Sequence, residues 1–425
     1  DKLKHKAQNS VGVFAGVTYN FYPLFIAEEW QKGNRVPLDI QSFSVANRIS
    51  YFLDVHGPSF VVDTACSSSL AAIHLACESL LRGDCKMAIA GGGNLSLHPS
   101  KYHFLGSFNF MSEQGRCASF AEGGTGYVPA EGVGSVLLKP LAEAIADNDM
   151  IYGVIKGSSM NHGGKTSGYT VPNPNAQAAV ILQALKNANM DARTVSYIEA
   201  HGTGTSLGDP IEIRGLQDAF EHYTEDKQFC AIGSVKSNIG HLESAAGVSQ
   251  LAKVLLQMRH QKLVPTLHSA QLNPFIDFKN SPFYVQQELT DWQPGYNVPR
   301  RAGVSSFGAG GANVHMIIEE YLPPITQQNM SNGPYIFLLS ALNEERLAAQ
   351  VQQMHRYVLQ HPHTANKEWL RDACFTLQTG REHMSARLAV IVSNPDELLA
   401  VLANYPQSHH SQLWINHQTQ NTPQP

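Results

Sequence analysis

Short apolar runs rich in β-branched residues alternate along this chain with segments of helical periodicity. Runs of this length are typical of parallel strands that are buried on both faces. The predicted strands cover residues 11–17, 59–63, 87–90, 152–155, 197–199 and 230–234. Helical periodicity is clearest after Ser67 and after Asn175. The second helix is predicted to present one broad apolar face made of Ala176, Ala179, Val180, Leu182, Leu185 and Ala188. This alternation predicts a layered α/β fold.

A polar segment rich in turn formers, residues 322–333 (LPPITQQNMSNG), separates this region from the remainder of the chain. At 425 residues the chain exceeds the roughly 250–300 residues at which a single core stops growing. We therefore predict a linker there and a small α/β unit over 334–405. Its expected elements are a strand at 335–339, a helix capped by Asn343 and a strand at 385–392. The helix is expected to pack through Leu347, Val351, Met354 and Val358. After Tyr405 no periodicity remains, which predicts a loose end or the start of another region.

Composition excludes several classes of function. A net charge of -5 without a dense basic run argues against nucleic acid as a partner. The most apolar stretch, residues 60–81, is interrupted by Asp63, His74 and Glu78, so we predict no membrane span. Residues 1–10 lack the apolar core of a secretory signal and are typical of the middle of a larger chain. Six cysteines without a C-x-x-C pair indicate reduced thiols in a cytosol.

Cys66 stands where a predicted strand runs directly into a helix, within residues 62–70 (VDTACSSSL). Free backbone N–H groups and the positive end of a helix dipole stabilise a thiolate at such a position. The same N–H groups can receive the oxygen of a tetrahedral intermediate. The position therefore favours a nucleophile, although most cysteines are simply buried structural residues.

Two histidines lie in small-residue loops after predicted strands, in residues 199–205 (EAHGTGT) and 236–241 (KSNIGH). Strand ends are where α/β folds expose reactive groups. Flanking Gly and Thr allow close approach of a ligand and offer hydroxyls to it. In a chain with 19 histidines, a solvated or structural role stays open for each. Neither His201 nor His241 has a ligand partner at short spacing, so we predict no metal.

In their order, these three motifs resemble the signature motifs of β-ketoacyl synthase (ketosynthase) domains of bacterial modular polyketide synthases. Residues 306–315 (SFGAGGANVH) are similar to a Gly-rich loop near the end of such domains. The likeness covers 11–321 and implies a thiolase-like layered fold (α-β-α-β-α), followed by a small α/β flanking subdomain. It also implies that the first strands of the family's doubled core are absent, with the ketosynthase domain occupying 1–321. Residues 122–134 and 162–174 are similar to variants of the trans-acyltransferase type.

The resemblance implies decarboxylative condensation. Cys66 would carry an acyl chain as a thioester, while His201 and His241 would hold the malonyl thioester and stabilise the enolate formed as carbon dioxide leaves. The remaining implied roles are charge tuning by Lys236, pantetheine contacts by Thr203 and Thr205, substrate contact by Phe307, and an oxyanion hole made of the Cys66 and Ala309 backbone N–H groups. Small Ala65 and Ala309 predict a roomy acyl channel.

The resemblance implies that the domain itself binds no cofactor. Its substrates would be carried on the phosphopantetheine of acyl carrier proteins. Expected partners are the upstream and downstream carrier proteins, a free-standing acyltransferase and a second copy in a homodimer, in the cytoplasm. Three alternatives stay open: a ketosynthase that only transfers chains, a branching ketosynthase, and a scaffold that docks carrier proteins. A thiolase is disfavoured, because that family uses a second cysteine in a late Gly-rich loop and only Cys374 follows Cys230.

Overall fold

The computed structural model describes residues 7–37, 41–293, 298–323, 333–406 and 413–417. The chain divides into two compact units, one spanning Lys6–Pro323 and the other containing Pro324–Pro425. Within the described ranges, none of the helices is both long and apolar enough to cross a bilayer.

The first unit begins with a four-stranded sheet in the order β2-β1-β3-β4. Its strands are β1 (Val11–Gly16), β2 (Ser59–Val62), β3 (Met87–Asn94) and β4 (Gly132–Leu138). β1 runs parallel to both β2 and β3, whereas β4 is antiparallel to β3. Every residue of β1 is buried, as expected for a central strand covered on both faces.

A second sheet of six strands repeats this arrangement, in the order β5-β12-β11-β6-β7-β9. The strands from β5 onward are β5 (Val154–His162), β6 (Tyr197–Glu199), β7 (Cys230–Gly233), β8 (Lys262–Leu263), β9 (Phe283–Val285), β10 (Thr290–Asp291), β11 (Arg301–Phe307) and β12 (Ala312–Glu319); β8 and β10 form a separate pair. β6 is parallel to β7 and β11, and β12 is antiparallel to β11. The set β7-β6-β11-β12 therefore matches β2-β1-β3-β4 in chain order and direction. The first unit is built from two similar halves.

Helices lie between and outside the two sheets. They are α1 (Tyr22–Gln31), α2 (Phe43–Leu53), α3 (Ser68–Arg82), α4 (Ser100–Ser107), α5 (Leu141–Ala146), α6 (Pro174–Ala188), α7 (Gly208–Phe220), α8 (Lys236–Ile239) and α9 (Ala246–His260). α3 and α9 pack on each other and contact both sheets. α2 covers the outer face of the first sheet, and α6 with α7 covers that of the second. This α-β-α-β-α order confirms the predicted layered fold.

Three expectations about these elements were wrong. The strand predicted at 152–155 is β5, which begins at Val154 and pairs antiparallel with β12, so the sheets are mixed and not purely parallel. β4, β9, β11 and β12 were not predicted. Glycines interrupt β4 and β11, and a Gly-rich turn precedes β12. In α6, Ala179 is exposed and Gln177 is buried. α6 packs against both α7 and the second sheet, so Gln177 joins its buried face, while Val180, Leu185 and Ala188 are buried as predicted.

The second unit is a three-stranded antiparallel sheet with helices. Its elements are β13 (Tyr335–Ala341), α10 (Glu344–Gln360), α11 (Lys367–Gly380), β14 (Ala386–Val392), α12 (Pro395–Ala403) and β15 (Leu413–His417). As predicted, Asn343 caps α10, and its side-chain oxygen accepts the Arg346 N–H at 2.9 Å. Of the predicted packing residues, Leu347, Val351 and Val358 are buried; Met354 is partly buried against the same core.

The expectation of a structureless end after Tyr405 is wrong for 413–417, because β15 pairs with β14. Residues 407–412 and 418–425, and most of the predicted linker (324–332), lie outside the described residues.

Candidate active site

Cys66 occupies a single 3-10 turn, Ala65–Ser67, between the end of β2 and the start of α3. This agrees with the predicted strand-to-helix junction. Ala65 enters the turn with a φ of 53°, a left-handed conformation that non-glycine residues rarely adopt and that is often retained at functional sites. The Cys66 side chain is half-buried, and burial raises the pKa of its thiol to about 12. The resting sulfur is therefore protonated.

The turn between β11 and β12 connects Cys66 with His201. Ser306 donates its hydroxyl to the Cys66 carbonyl oxygen at 3.0 Å, and the Phe307 N–H donates to Nδ1 of His201 at 3.3 Å. The backbone N–H groups of Ala309 and of Cys66 itself favour the thiolate form and so oppose the rise in the pKa of the Cys66 thiol. The approach of this turn to Thr64 requires Gly308, where an added Cβ would lie 2.2 Å from the Thr64 carbonyl oxygen.

His201 and His241 lie edge to face, with ring centroids 5.4 Å apart and an interplanar angle of 83°. His201 follows β6, whereas His241 follows the short helix α8. Nδ1 of His241 accepts the Glu243 N–H at 3.0 Å, just as Nδ1 of His201 accepts that of Phe307. Because a backbone N–H can only donate, each Nδ1 carries no proton and each neutral ring has its proton on Nε2. Both rings therefore offer an Nε2–H donor.

Electrostatics keep both imidazoles uncharged. Burial, and after it the Lys236 ammonium, hold the pKa of His201 and of His241 well below the usual range. Burial also lowers the pKa of Lys236, against the opposing pull of the Glu199 and Glu212 carboxylates. Among the described residues, Nε2 of His241 and Nζ of Lys236 are buried without a hydrogen-bond partner. A ligand oxygen would satisfy such donors.

Thr203 and Thr205 extend the loop that begins at His201. Their hydroxyl oxygens lie 3.1 Å apart, and that of Thr205 also accepts the Gly208 N–H at 3.1 Å. The Phe307 ring lies 5.8 Å from that of His201, centroid to centroid. The structure thus brings Phe307, His201 and His241 together, with the Cys66 backbone held by Ser306 beside them. In the described part of the chain, no three His, Cys, Asp or Glu side chains are grouped to hold a metal.

Comparison with known proteins shows the family of this chain. Residues 1–144 match the family model for the beta-ketoacyl synthase N-terminal domain, residues 152–270 that for its C-terminal domain, and residues 338–409 a RhiE-like KS-MAT linker domain. A ketosynthase domain of Streptomyces albus, OzmH KS7 of oxazolomycin biosynthesis, superposes with a TM-score of 0.88 at 45% identity, covering 97% of this chain and 71% of that one. The chain belongs to the ketosynthase domains of polyketide synthases.

Other relatives of this ketosynthase are similar over most of its length. The ketosynthase from module 6 of the bacillaene synthase of Bacillus subtilis has a TM-score of 0.83 at 40% identity, over 96% of this chain and 69% of that one. Polyketide synthase PksL of Bacillus subtilis is 55% identical over 92% of this chain, and ThaG of Burkholderia thailandensis is 53% identical over 92%. The chain spans 9% of the length of PksL and 7% of that of ThaG.

Two buried carboxylates of this ketosynthase were missed from its sequence. Glu212 accepts the backbone N–H groups of His201 and Gly202, at 2.7 and 2.8 Å. Asp209 accepts those of Gly204 and Phe120, at 3.1 and 2.7 Å. Both lie near the start of α7, and burial raises the pKa of Asp209 to about 6 and that of Glu212 to about 7. The sequence does carry a signal for them: two acidic residues three positions apart, at the start of a helix that directly follows the His201 loop.

A buried ion pair behind His241 was also missed. Lys101 of α4 pairs with the carboxylate of Glu243, and the two residues are only 1% and 3% exposed. They are separated by more than 140 positions in the chain, and no local pattern marks Lys101. Only the packing of the first sheet against the His241 loop brings them together.

Proposed function

We propose that this chain elongates a polyketide by decarboxylative Claisen condensation of an acyl chain held on Cys66 with malonyl-acyl carrier protein. The observation that carries the proposal is the matched pair of neutral imidazoles, each with its proton on Nε2. Decarboxylation requires no base to remove a proton from carbon. It requires donors placed where the enolate charge develops.

In the first step, the Cys66 sulfur attacks the thioester carbonyl of an acyl-pantetheine. The new carbon–sulfur bond forms as the pantetheine sulfur departs with the proton of the Cys66 thiol, so no net charge is created. The Cys66 and Ala309 N–H groups are proposed to receive the carbonyl oxygen during this exchange. The effect of both N–H groups on the pKa of the Cys66 thiol, which they lower, supports this role.

In the second step, His201 and His241 donate their Nε2–H groups to the thioester oxygen of the malonyl unit. The bond between C2 and the carboxylate carbon breaks, carbon dioxide leaves, and the electron pair becomes the enolate. C2 then attacks the acyl carbonyl and expels the Cys66 thiolate. Lys236 acts by its charge, which favours the uncharged form of both imidazoles.

The finer assignments are part of the same proposal. Thr203 and Thr205 would contact the pantetheine arm, and Phe307 would contact the substrate. The partners would be carrier proteins on either side, a free-standing acyltransferase and a second copy of the chain. The residues matching a KS-MAT linker domain would form the flanking subdomain that follows the ketosynthase. Six free cysteines fit a reducing cytoplasm.

Intact-protein mass spectrometry tests this function. The protein is first incubated with an acyl-pantetheine thioester and then with malonyl carrier protein. We expect an acyl mass on Cys66 that disappears as a β-ketoacyl carrier protein forms. Cys66→Ala should remove the acyl mass, whereas Cys77→Ala, at another half-buried thiol, should keep it. Acylation that is never followed by extension would support a transfer-only enzyme, and absence of acylation would support a scaffold.

A further inference from the structure

His241 also contacts a buried polar cluster to which the proposed reaction assigns no role. Its centre is the Lys101–Glu243 ion pair. Nζ of Lys101 also donates to Asn94 Oδ1 at 3.3 Å and Ser96 Oγ at 3.1 Å, and lies 4.5 Å from the centroid of the Tyr19 ring. These contacts leave Lys101 no access to a substrate.

The Glu243 side chain, like that of Lys101, has several hydrogen-bond partners. Its carboxylate also accepts Asn94 Nδ2–H at 2.9 Å and the Tyr127 hydroxyl at 3.3 Å. The Tyr127 ring in turn packs edge to face on His241, with centroids 4.6 Å apart. The side chain of Glu243 is therefore fixed from both ends of its carboxylate.

The Glu243 backbone makes the functional contact. Its φ is 45°, a left-handed conformation that is strained for a residue with a side chain. In this conformation its N–H points at Nδ1 of His241 at 3.0 Å. A strained backbone persists only where the surroundings impose it, and here the ion pair supplies that restraint.

We propose that the Lys101–Glu243 pair positions His241: it fixes the Glu243 N–H on Nδ1 and keeps the ring uncharged, so that Nε2–H stays the donor. This inference rests on the proposed condensation. Lys101 and Glu243 are positioning residues, since neither reaches the reacting atoms.

Charge explains why the pair must be intact. The groups that face His241 are the cations Lys236 and Lys101, the neutral imidazole of His201, the Tyr127 ring and the Glu243 anion, which Lys101 compensates. Removing Lys101 alone takes away a charge that opposes protonation of His241 and leaves a buried carboxylate unpaired. A proton on Nδ1 would then face the Glu243 N–H, and the ring would turn.

The test measures two half-reactions in parallel, acylation of Cys66 by an acyl-pantetheine thioester and decarboxylation of malonyl-pantetheine to acetyl-pantetheine. Lys101→Met should lower the decarboxylation kcat about 100-fold at pH 6, because a ~1 Å misplacement of a reacting group costs rate on that order. The loss should shrink towards pH 8 as the imidazole gives up its proton. Malonyl KM and Cys66 acylation should stay unchanged.

Two further variants separate positioning from a general loss of structure. K101M/E243Q removes both charges and with them the restraint on Glu243. Its pH profile should be flat, because no unpaired carboxylate remains, but its decarboxylation rate should stay below that of the wild type, even if K101M alone does not fold. Arg300→Met breaks another buried pair, Arg300–Glu320, at the far end of β11 from Phe307. It should lower stability without changing the ratio of the two half-reactions.

The inference is overturned if K101M and R300M show the same ratio and the same pH profile, or if K101M/E243Q keeps the wild-type ratio of malonyl-pantetheine decarboxylation to Cys66 acylation. Wild-type protein that acylates Cys66 but never decarboxylates malonyl-pantetheine would contradict the proposed function itself, and the inference with it. The wild-type measurement thus distinguishes the two failures.

Discussion

Nδ1 of His201 and Nδ1 of His241 each accept a backbone N–H, from Phe307 and Glu243 respectively, although the two rings come from different loops. In both imidazoles, a backbone N–H donor therefore fixes the tautomer that has its proton on Nε2. Each ring is left with one uncharged donor, and the pKa of each lies well below its usual range because of burial.

Uncharged donors predict a decarboxylation rate that does not change between pH 6 and pH 8. Both imidazoles are already neutral at pH 6, so raising the pH removes no proton from them. His241→Gln keeps an N–H donor near the position of Nε2 and should retain more activity than His241→Ala, which we expect to lose about 10²-fold. The measurement is the initial rate of malonyl-pantetheine decarboxylation across this range. A rate that falls as pH rises would mean that an imidazolium is the active form.

Ala309 offers a test of the oxyanion hole that spares the backbone turn. The Gly311 N–H donates to the Gly308 carbonyl at 2.8 Å, which places Ala309 at the second position of a four-residue turn, where proline is favoured. Ala309→Pro removes the N–H and should slow acylation of Cys66 about 10²-fold. Ala309→Gly keeps the N–H and serves as the control. Mass spectrometry measures the rate of Cys66 acylation in both variants. Equal rates would exclude Ala309 from the oxyanion hole.

The size of the side chain at position 309 is a separate question. If small Ala65 and Ala309 leave the acyl channel wide, Ala309→Phe should slow acylation by long or branched acyl-pantetheines more than by short ones. The comparison is a set of acylation rates across chain lengths, each divided by the wild-type rate. Equal slowing for all chains would show that the channel does not run past this position.

Glu212 is predicted to hold the His201 loop. Glu212→Gln leaves one buried N–H, of His201 or Gly202, facing an amide NH2 group, which should lower the free energy of unfolding by about 1–3 kcal/mol. Decarboxylation should fall more than Cys66 acylation, because only the former uses His201. Urea unfolding and the two half-reaction rates measure these effects, and exposed Glu221→Gln at the end of the same helix is the control. A loss shared equally by both half-reactions would point to a purely structural carboxylate.

The fold and the site differ in how far the sequence predicts them. Cys66 and His201 each follow a predicted strand within a few residues, so local patterns indicate both. Lys101 and Glu243 meet only because distant elements pack together, and the backbone N–H donors of Phe307 and Ala309 leave no trace in side-chain type. β4 escaped prediction because its glycines and its half-exposed alternation mask an apolar run.

Buried His315 predicts a pH-dependent stability that is independent of catalysis. Its Nδ1 lies 2.9 Å from the Ser305 hydroxyl, and burial lowers its pKa to about 3. In the unfolded chain this imidazole binds a proton below pH ~6.5, while in the folded protein it stays neutral, so its stabilising contribution is lost as pH falls. Relative to His315→Gln, the wild type should lose about 1.4 kcal/mol per pH unit below that value. Urea titrations at pH 7.5 and 5.5 measure the free energy of unfolding of both proteins. The same change with pH in the wild type and in His315→Gln would contradict the prediction.

The two sheets of the first unit differ at both edges, and one of these differences concerns β4. In the second sheet β5 covers β12, whereas among the described residues no strand pairs with the outer side of its counterpart β4. Val133 and Leu137 of β4 are 80% and 56% exposed beside that edge. An uncovered strand with apolar side chains is a template for adding another strand. The uncovered edge of β4 therefore makes the isolated polypeptide liable to pair with a strand of another chain, which favours aggregation.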